Sequence, residues 1–315
     1  METNKETLTP ADSATLPVEV PAAHKAGFVN IVGNPNVGKS TLMNDLVGER
    51  ISIITSKAQT TRHRIMGIVN TPEYQIVFSD TPGVLVPKYK MQEGMLAFSE
   101  GALTDADVLI YVTDVVEDPT KNADFLAKVA KEKVPVILVI NKIDLVKNQD
   151  ELEQLVARWK EILPNAEVFP TSAKEHFNVQ NLMNRIVELI PVGQAYFGKD
   201  ALTDKPARFF VTEIIREKIL TNYDKEVPYS AEVIVEKFEE KENSIHIMAV
   251  VYVERESQKG IIIGKGGSML KKVGTEARKD IEKFFDKSVY LEIFVKVEPN
   301  WRNRENKLRQ FGYIE

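Results

Sequence analysis

The chain has 315 residues, 43% of them hydrophobic and 28% charged, with a net charge of −5 and no cysteine. That length accommodates two domains with their own cores, and a cysteine-free composition excludes disulfides and thiolate metal centres and fits a reducing compartment. The longest clean apolar run, VPVILVI, is far short of the roughly 20 residues that a membrane-spanning helix needs.

The chain opens with METNKETLTPADSATLPVEVPAAHK, which has no apolar core and no arginine. It fits neither a secretory signal nor a transit peptide, and its Thr, Pro, Ala and Glu content predicts a disordered tail over residues 1–25. From Gly27 to about Ile190 strand and helix signals alternate. GFVNIVG, YQIVFSD, ADVLIYVTD and VPVILVINK are Val/Ile-rich runs of the buried-strand type. QEGMLAFSEGAL, NADFLAKVAKEK and ELEQLVARWKEIL carry apolar residues at helical spacing. RHRIMGIVN and YQIVFSD, separated by Thr71-Pro72-Glu73, predict a hairpin. The expected domain over 26–192 is therefore α/β, a mostly parallel sheet with one antiparallel edge hairpin and helices on both faces.

Between the first strand and the first helix stands GNPNVGKS, residues Gly33 to Ser40. It matches the phosphate-binding P-loop in its required setting, strand before and helix after. Gly33 and Gly38 permit the tight turn, and backbone N–H groups cradle phosphate oxygens. Lys39 can reach the β- and γ-phosphates, Ser40 can ligate Mg²⁺, and the following helix aims its positive end at the same anion. Asn34, Asn36, Val37, Gly38, Lys39, Ser40 and Thr41 are the candidate phosphate contacts.

The segment ITSKAQTTRHRIMG is polar and reads as the first switch. One threonine should complete the Mg²⁺ shell when a γ-phosphate is present, and Thr61 is preferred to Thr60. DTPG, Asp80 to Gly83, ends a strand; Asp80 can hold the Mg²⁺ shell, and the Gly83 N–H can meet the γ-phosphate. A second switch should run from Gly83 to about Met95. Val84 follows, where Ras-type GTPases carry a water-orienting glutamine. Valine cannot orient water, so the candidates are a backbone-held water, a partner's residue, or a K⁺ ion beside Asn36. His63 reads as a structural residue of the hairpin strand rather than a base.

NKID, Asn141 to Asp144, ends a later strand. The Asp144 carboxylate can accept both guanine N1–H and N2–H₂, a donor pair that adenine lacks. TSA, Thr171 to Ala173, should close the base pocket, with the Ala173 N–H donating to guanine O6. Asn141, Lys142, Asp144, Ser172, Ala173 and Lys174 are the candidate base contacts. Each motif is weak alone; four in this order point to GTP/GDP with Mg²⁺.

PVGQAYFGKDALTDKPAR has glycine, proline and few periodic apolar residues, and predicts a linker over 193–206. Beyond it, over 207–315, the pattern changes. RFFVTEIIREKILTN is helical. YSAEVIVEKFEE and SIHIMAVVYVE are paired strands turning at KEN. GIIIGKGGSMLKKVGTEARKDIEKFF gives a short helix, a glycine loop and a long basic helix. SVYLEIFVKVE is a last strand, and NWRNRENKLRQFGY predicts a final helix capped by Asn300. The order α-β-β-α-α-β is an α+β, type II KH arrangement. Its glycine loop, Gly264-Lys265-Gly266-Gly267, is of the G-x-x-G kind that clamps a nucleic-acid backbone. Lys265, Lys271 and Lys272 supply charge, and Ile261 and Ile262, with Ile263, are expected to line the groove for unstacked bases. From Arg255 to Lys287 nine basic residues face five acids, so an acidic chain carries a basic patch where this loop stands.

On GNPNVGKSTL, SKAQTTRHRI, DTPG, NKID and TSA, then EIIREKIL, EVPYS and GIIIGKGG, the chain resembles the Era family of bacterial GTPases from about Gly27 onward. The resemblance implies GTP hydrolysis, binding of the 3′ end of 16S rRNA, and assistance to maturation of the 30S ribosomal subunit. It further implies a largely monomeric, cytoplasmic protein, sometimes found at the inner membrane. A hydrophobic residue in place of the Ras glutamine is also a family trait. Two other readings stay open at this point: a low-turnover GTP/GDP-sensing RNA binder, and a membrane-associated cell-cycle GTPase. The second is disfavoured because a GKGG loop serves nucleic acid and has no lipid rationale.

Overall fold

The computed structural model describes residues 23–314. The tail expected over residues 1–25 thus lies, for residues 1–22, outside the described residues. Lys25 already belongs to the first strand, so the expected boundary falls inside that element. The reason is local: the Lys25 N–H donates to Glu73 O at 3.0 Å, and its ammonium donates to the helix-end carbonyls of Val187 (2.8 Å) and Glu188 (2.9 Å).

The first domain runs β1 (Lys25–Gly33), α1 (Lys39–Val47), β2 (Ile65–Asn70), β3 (Tyr74–Asp80), α2 (Lys90–Thr104), β4 (Val108–Asp114), α3 (Ala123–Val129), β5 (Val136–Asn141), α4 (Gln149–Ile162), β6 (Glu167–Pro170) and α5 (Val179–Leu189). The sheet order is β2-β3-β1-β4-β5-β6. Only the edge hairpin β2–β3 is antiparallel. β6 has no apolar run to announce it, because its four residues include a glutamate and a proline. One sheet face packs Leu42 and Met43 of α1 against Leu182 and Ile186 of α5. The other buries Leu103 of α2, Phe125 of α3 and Trp159 of α4. β3, β1, β4 and β5 run parallel and the strand order reverses at β1, so the carboxyl ends of β1, β3 and β5 open on one crevice, where such sheets take ligands.

Residues 193–206 contain no helix or strand, yet they are pinned to the hairpin edge. Ile68 N–H donates to Leu202 O at 2.8 Å, and Met66 N–H to Asp204 Oδ1 at 2.9 Å. An edge strand that would otherwise expose free backbone donors is thereby covered.

The second half contains α6 (Ala207–Asn222), the single turn α7 (Val227–Ser230), β7 (Glu232–Glu240), β8 (Ser244–Val253), α8 (Glu256–Ile263), α9 (Ser268–Phe285), β9 (Ser288–Val297) and α10 (Glu305–Gln310). Strands β7 and β8 form a hairpin, and β9 returns parallel to β8 after the α8–α9 crossover. This is the expected type II order. α6 and α9 cover one face, burying Ile215 and Ile219 against Ile247, Val251, Val273 and Ile281. The other face carries Val250 and Tyr252, and it is covered by Trp301, Leu308, Phe311 and Tyr313 together with Met91 and Met95 of α2. The two halves of the molecule therefore share a core. The final segment is not one helix: Trp301–Asn303 is a 3₁₀ turn before α10. Asn300 sits in left-handed backbone (φ 54°) with no capping bond from its side chain.

Candidate functional site

The P-loop has the backbone its glycines imply. Gly33 has φ 144°, and a Cβ there would lie 2.2 Å from Val112 O. Gly38 has φ 98°, and a Cβ there would lie 2.2 Å from Asn141 Nδ2. A side chain at either position is excluded by sterics as well as by torsion. The Lys39 side chain is buried, its ammonium donating to Asn34 O at 2.9 Å. Burial lowers its pKa to about 8 against the opposing fields of Asp80 and Glu117. An incoming polyphosphate would restore the solvation this ammonium lacks.

Three oxygens converge beside it. Ser40 Oγ lies 2.7 Å from Asp80 Oδ2 and 2.8 Å from Thr61 Oγ1, and Thr61 Oγ1 lies 3.2 Å from the same carboxylate oxygen. Asp80 is fully buried, and its second oxygen, Oδ1, has no hydrogen-bond partner among the described residues. Burial pushes its carboxyl above the usual range, opposed by the Lys39 charge. A hard cation with oxygen ligands fits this cluster and would relieve the buried carboxylate. Thr60 turns the other way, toward Thr55 Oγ1 (2.6 Å) and Lys57 O (2.6 Å). The structure thus brings Thr61, and not Thr60, to Ser40 and Asp80.

Gly83 packs against the P-loop so closely that a Cβ would lie 2.6 Å from Pro35 Cα, and the Val84 N–H donates to Gly33 O at 3.1 Å. The Val84 side chain is buried in the core and faces no water. His63 is structural: its Nε2 pairs with Phe311 O at 3.0 Å and its ring stacks on Tyr313. It stands just before β2 rather than on it.

Not every predicted phosphate contact points inward. The Asn34 side chain is turned away, donating to Glu117 and accepting from Asn122 Nδ2 at 2.6 Å. Only its backbone serves the loop. Val37 is buried and also acts through its backbone, accepting from Asn141 Nδ2 at 2.8 Å. Asn36, Gly38, Lys39, Ser40 and Thr41 line a cavity of about 370 Å³, which Gly83 and Lys142 complete.

At the base end, Lys142 adopts left-handed backbone (φ 63°) and ties Asp114 Oδ2 (2.7 Å) to Asn36 O (2.5 Å). Asp144 is exposed, and Ser172 Oγ orients it with a bond of 2.6 Å. The Ala173 N–H is buried at the pocket wall and donates to Asn141 Oδ1 at 3.0 Å. Lys174, next along, is exposed.

The second site is built on the G-x-x-G loop. Gly264, Gly266 and Gly267 have φ values of 73°, 59° and 78°, and a Cβ at Gly266 or Gly267 would meet nothing within 4 Å. The main chain here is bare and open. A groove of about 400 Å³ extends from Gly267 between α9 and β9, lined by Leu270, Lys271, Gly274 and Arg278 on one side and Leu291 and Ile293 on the other. Lys265 and Lys272 are exposed, but they do not line it. The isoleucine expectation also needs correction. Ile262 is buried (1% exposed) in the domain core, because that face of α8 packs inward. Ile261 is half exposed but lies outside the groove. The apolar wall comes from Leu270 of α9 and from Leu291 and Ile293, whose alternation on β9 is the available signal.

A family model described as "50S ribosome-binding GTPase" matches residues 28–142, and a KH domain model matches residues 226–302. The crystal structure of Era in complex with MgGDPNP and nucleotides 1506–1542 of 16S ribosomal RNA is 38% identical. It aligns over 93% of this chain and 100% of that one, with a TM-score of 0.88. A point variant of Aquifex aeolicus Era bound to GDP and AlF₄⁻ has the same identity and TM-score, covering 92% of this chain and 100% of that one. This chain belongs to the Era family. The Era match runs through both halves, so the expected order of P-loop GTPase and KH domain holds, and the chain is an Era-type GTPase using GTP/GDP and Mg²⁺.

Proposed function

We propose that the protein is a GTP-hydrolysing switch that binds the single-stranded 3′ end of 16S rRNA and assists assembly of the 30S subunit in the cytoplasm. The observation that carries this reading is the end-to-end match to an Era protein solved with MgGDPNP and 16S nucleotides together. We assign Lys39 to the β- and γ-phosphates, and Ser40, Asp80 and Thr61 to the Mg²⁺ shell. The Gly83 N–H meets the γ-phosphate. Asp144 reads guanine, and the Ala173 N–H, beside Lys174, stands at the guanine O6 position. The open glycine backbone from Gly264 to Gly267 takes the RNA phosphates, and the α9–β9 groove takes unstacked bases. We take β1 at Lys25 to residue 192 as the GTPase domain, 193–206 as the linker and 207–315 as the RNA-binding domain.

Binding of a short 16S 3′-end RNA, measured at fixed salt with a non-hydrolysable GTP analogue and then with GDP, tests this reading. Tighter binding with the analogue gives the coupling free energy directly. Equal, weak binding in both states would remove the rRNA role while leaving the GTPase assignment standing.

A further inference from the structure

Thr61 is bracketed by two residues that the other half of the molecule holds. On its amino-terminal side stands Arg216 of α6, only 1% exposed. Glu213, one turn earlier, grips its guanidinium at Nε (2.8 Å) and Nη2 (2.6 Å). The free edge of the guanidinium donates to Gln59 O at 3.3 Å and to Thr60 O. Gln59 has φ 56°, a left-handed conformation that is strained for a residue with a side chain. Holding its carbonyl offsets that strain. On the carboxyl-terminal side, Arg62 is fully buried and donates to Pro228 O (3.1 Å), Ala231 O (2.7 Å) and Glu232 Oε2 (3.0 Å). The Tyr313 hydroxyl donates to the same Glu232 oxygen at 2.6 Å.

The backbone is therefore fixed immediately before and after Thr61, by α6 on one side and by α7, β7 and the C-terminal segment on the other. With both anchors made, Thr61 Oγ1 lies 2.8 Å from Ser40 Oγ. The anchors are compatible with a closed metal shell and do not have to break for it to form.

We propose that Arg216, with Arg62, is a positioning residue for GTP hydrolysis: it holds the Thr60–Thr61 peptide so that the Thr61 hydroxyl stays in the Mg²⁺ shell beside the γ-phosphate. It differs from an arginine finger, because its charge is spent on Glu213 and on backbone carbonyls. It acts through Thr61 and touches no phosphate. GDP has no γ-phosphate and makes no demand on this peptide, so the effect should separate the two nucleotides. The proposal rests on the assignment of Thr61 given above.

The test uses the full chain and the pair Glu213→Gln/Arg216→Met, which removes the anchor without leaving a buried charge unpaired. The expected result is a kcat for GTP hydrolysis lower by about tenfold or more, the loss of one or two charge-assisted hydrogen bonds. Preference for a GTP analogue over GDP should fall comparably, with GDP affinity within about twofold of the parent, a change too small to count as a lost contact. Arg216→Lys, which keeps one donor, should recover part of kcat. Parent-like kcat and nucleotide preference in the double variant would overturn the proposal. So would an equal loss of GDP affinity, which would mark the pair as merely structural. Thr61→Ala separates the premise: if it hydrolyses GTP like the parent, the Thr61 assignment fails and the inference falls with it. If it is impaired while the double variant is not, only the inference falls.

Discussion

The molecule carries two glycine loops that meet phosphates, and they are built on opposite plans. The P-loop is closed, with a buried lysine and no room for a single added carbon at Gly38. The Gly264–Gly267 loop is open, with an exposed lysine and free space around Gly266 and Gly267. A closed cradle fits one ligand of fixed shape and gains strength from excluding water. An open loop accepts a polymer that enters and leaves sideways, and it leaves specificity to the groove beside it. Glycine is thus required by sterics and torsion together at Gly33, Gly38 and Gly264, and by torsion alone at Gly266 and Gly267.

Alanine scanning of the glycines should break the symmetry between the loops most sharply. Gly38→Ala places a methyl on Asn141 and forces out the side chain that ties Val37 to Ala173. The expected loss of GDP affinity by titration calorimetry is on the order of 100-fold, or about 3 kcal/mol. Gly267→Ala meets no atom and pays only for its positive φ, about 1 kcal/mol or roughly fivefold in RNA affinity. Gly267→Asp adds a like charge beside a phosphate and should cost about 30-fold, with GDP binding unchanged. A Gly38→Ala protein that binds GDP normally would show that the P-loop is not as closed as its backbone makes it.

The next effect in size is a pH dependence confined to the closed loop. Lys39 in the free protein has its pKa lowered to about 8 by burial, and bound phosphates raise it again. The group is charged below the free-state value in both states, so affinity is fully present there. It is lost as pH rises through about 8 toward the bound-state value, because binding must then take up a proton. Between pH 7 and pH 9 GDP affinity should fall by about tenfold, with proton uptake visible as buffer-dependent heat. A flat profile would mean that Lys39 is better solvated than its burial indicates.

The sequence was read most accurately where chemistry is carried by backbone shape within a few residues. GNPNVGKS, DTPG and NKID each dictate a turn, and the turn places Lys39, Ser40, Asp80 and Asn141 with little help from the rest of the chain. The G-x-x-G loop was legible for the same reason. What failed depended on which face of an element packs inward. Ile262 sits in a run of isoleucines that reads as groove lining, but its helix turns it into the core. The hold on the switch was invisible because Arg62 and its acceptors are separated by 166 to 170 positions in the chain. Arg62 reads as one more polar residue of a loop, and only the folded interface shows it to be fully buried.

The smallest predicted effect separates two adjacent lysines of the open site. Lys271 lines the groove, whereas Lys272 projects about 100° further round α9 and does not line it. Neutralising a residue that contacts a phosphate lowers the salt slope for single-stranded RNA by about 0.7, and one that feels only the mean field changes it less. Lys271→Ala should therefore weaken RNA binding by about threefold and flatten the slope of log affinity against log salt by most of that amount. Lys272→Ala should shift affinity by less than about twofold and leave the slope nearly as it was. Equal effects from the two would mean that the RNA backbone, on leaving the glycine loop, crosses the top of α9 instead of following the wall it shares with β9.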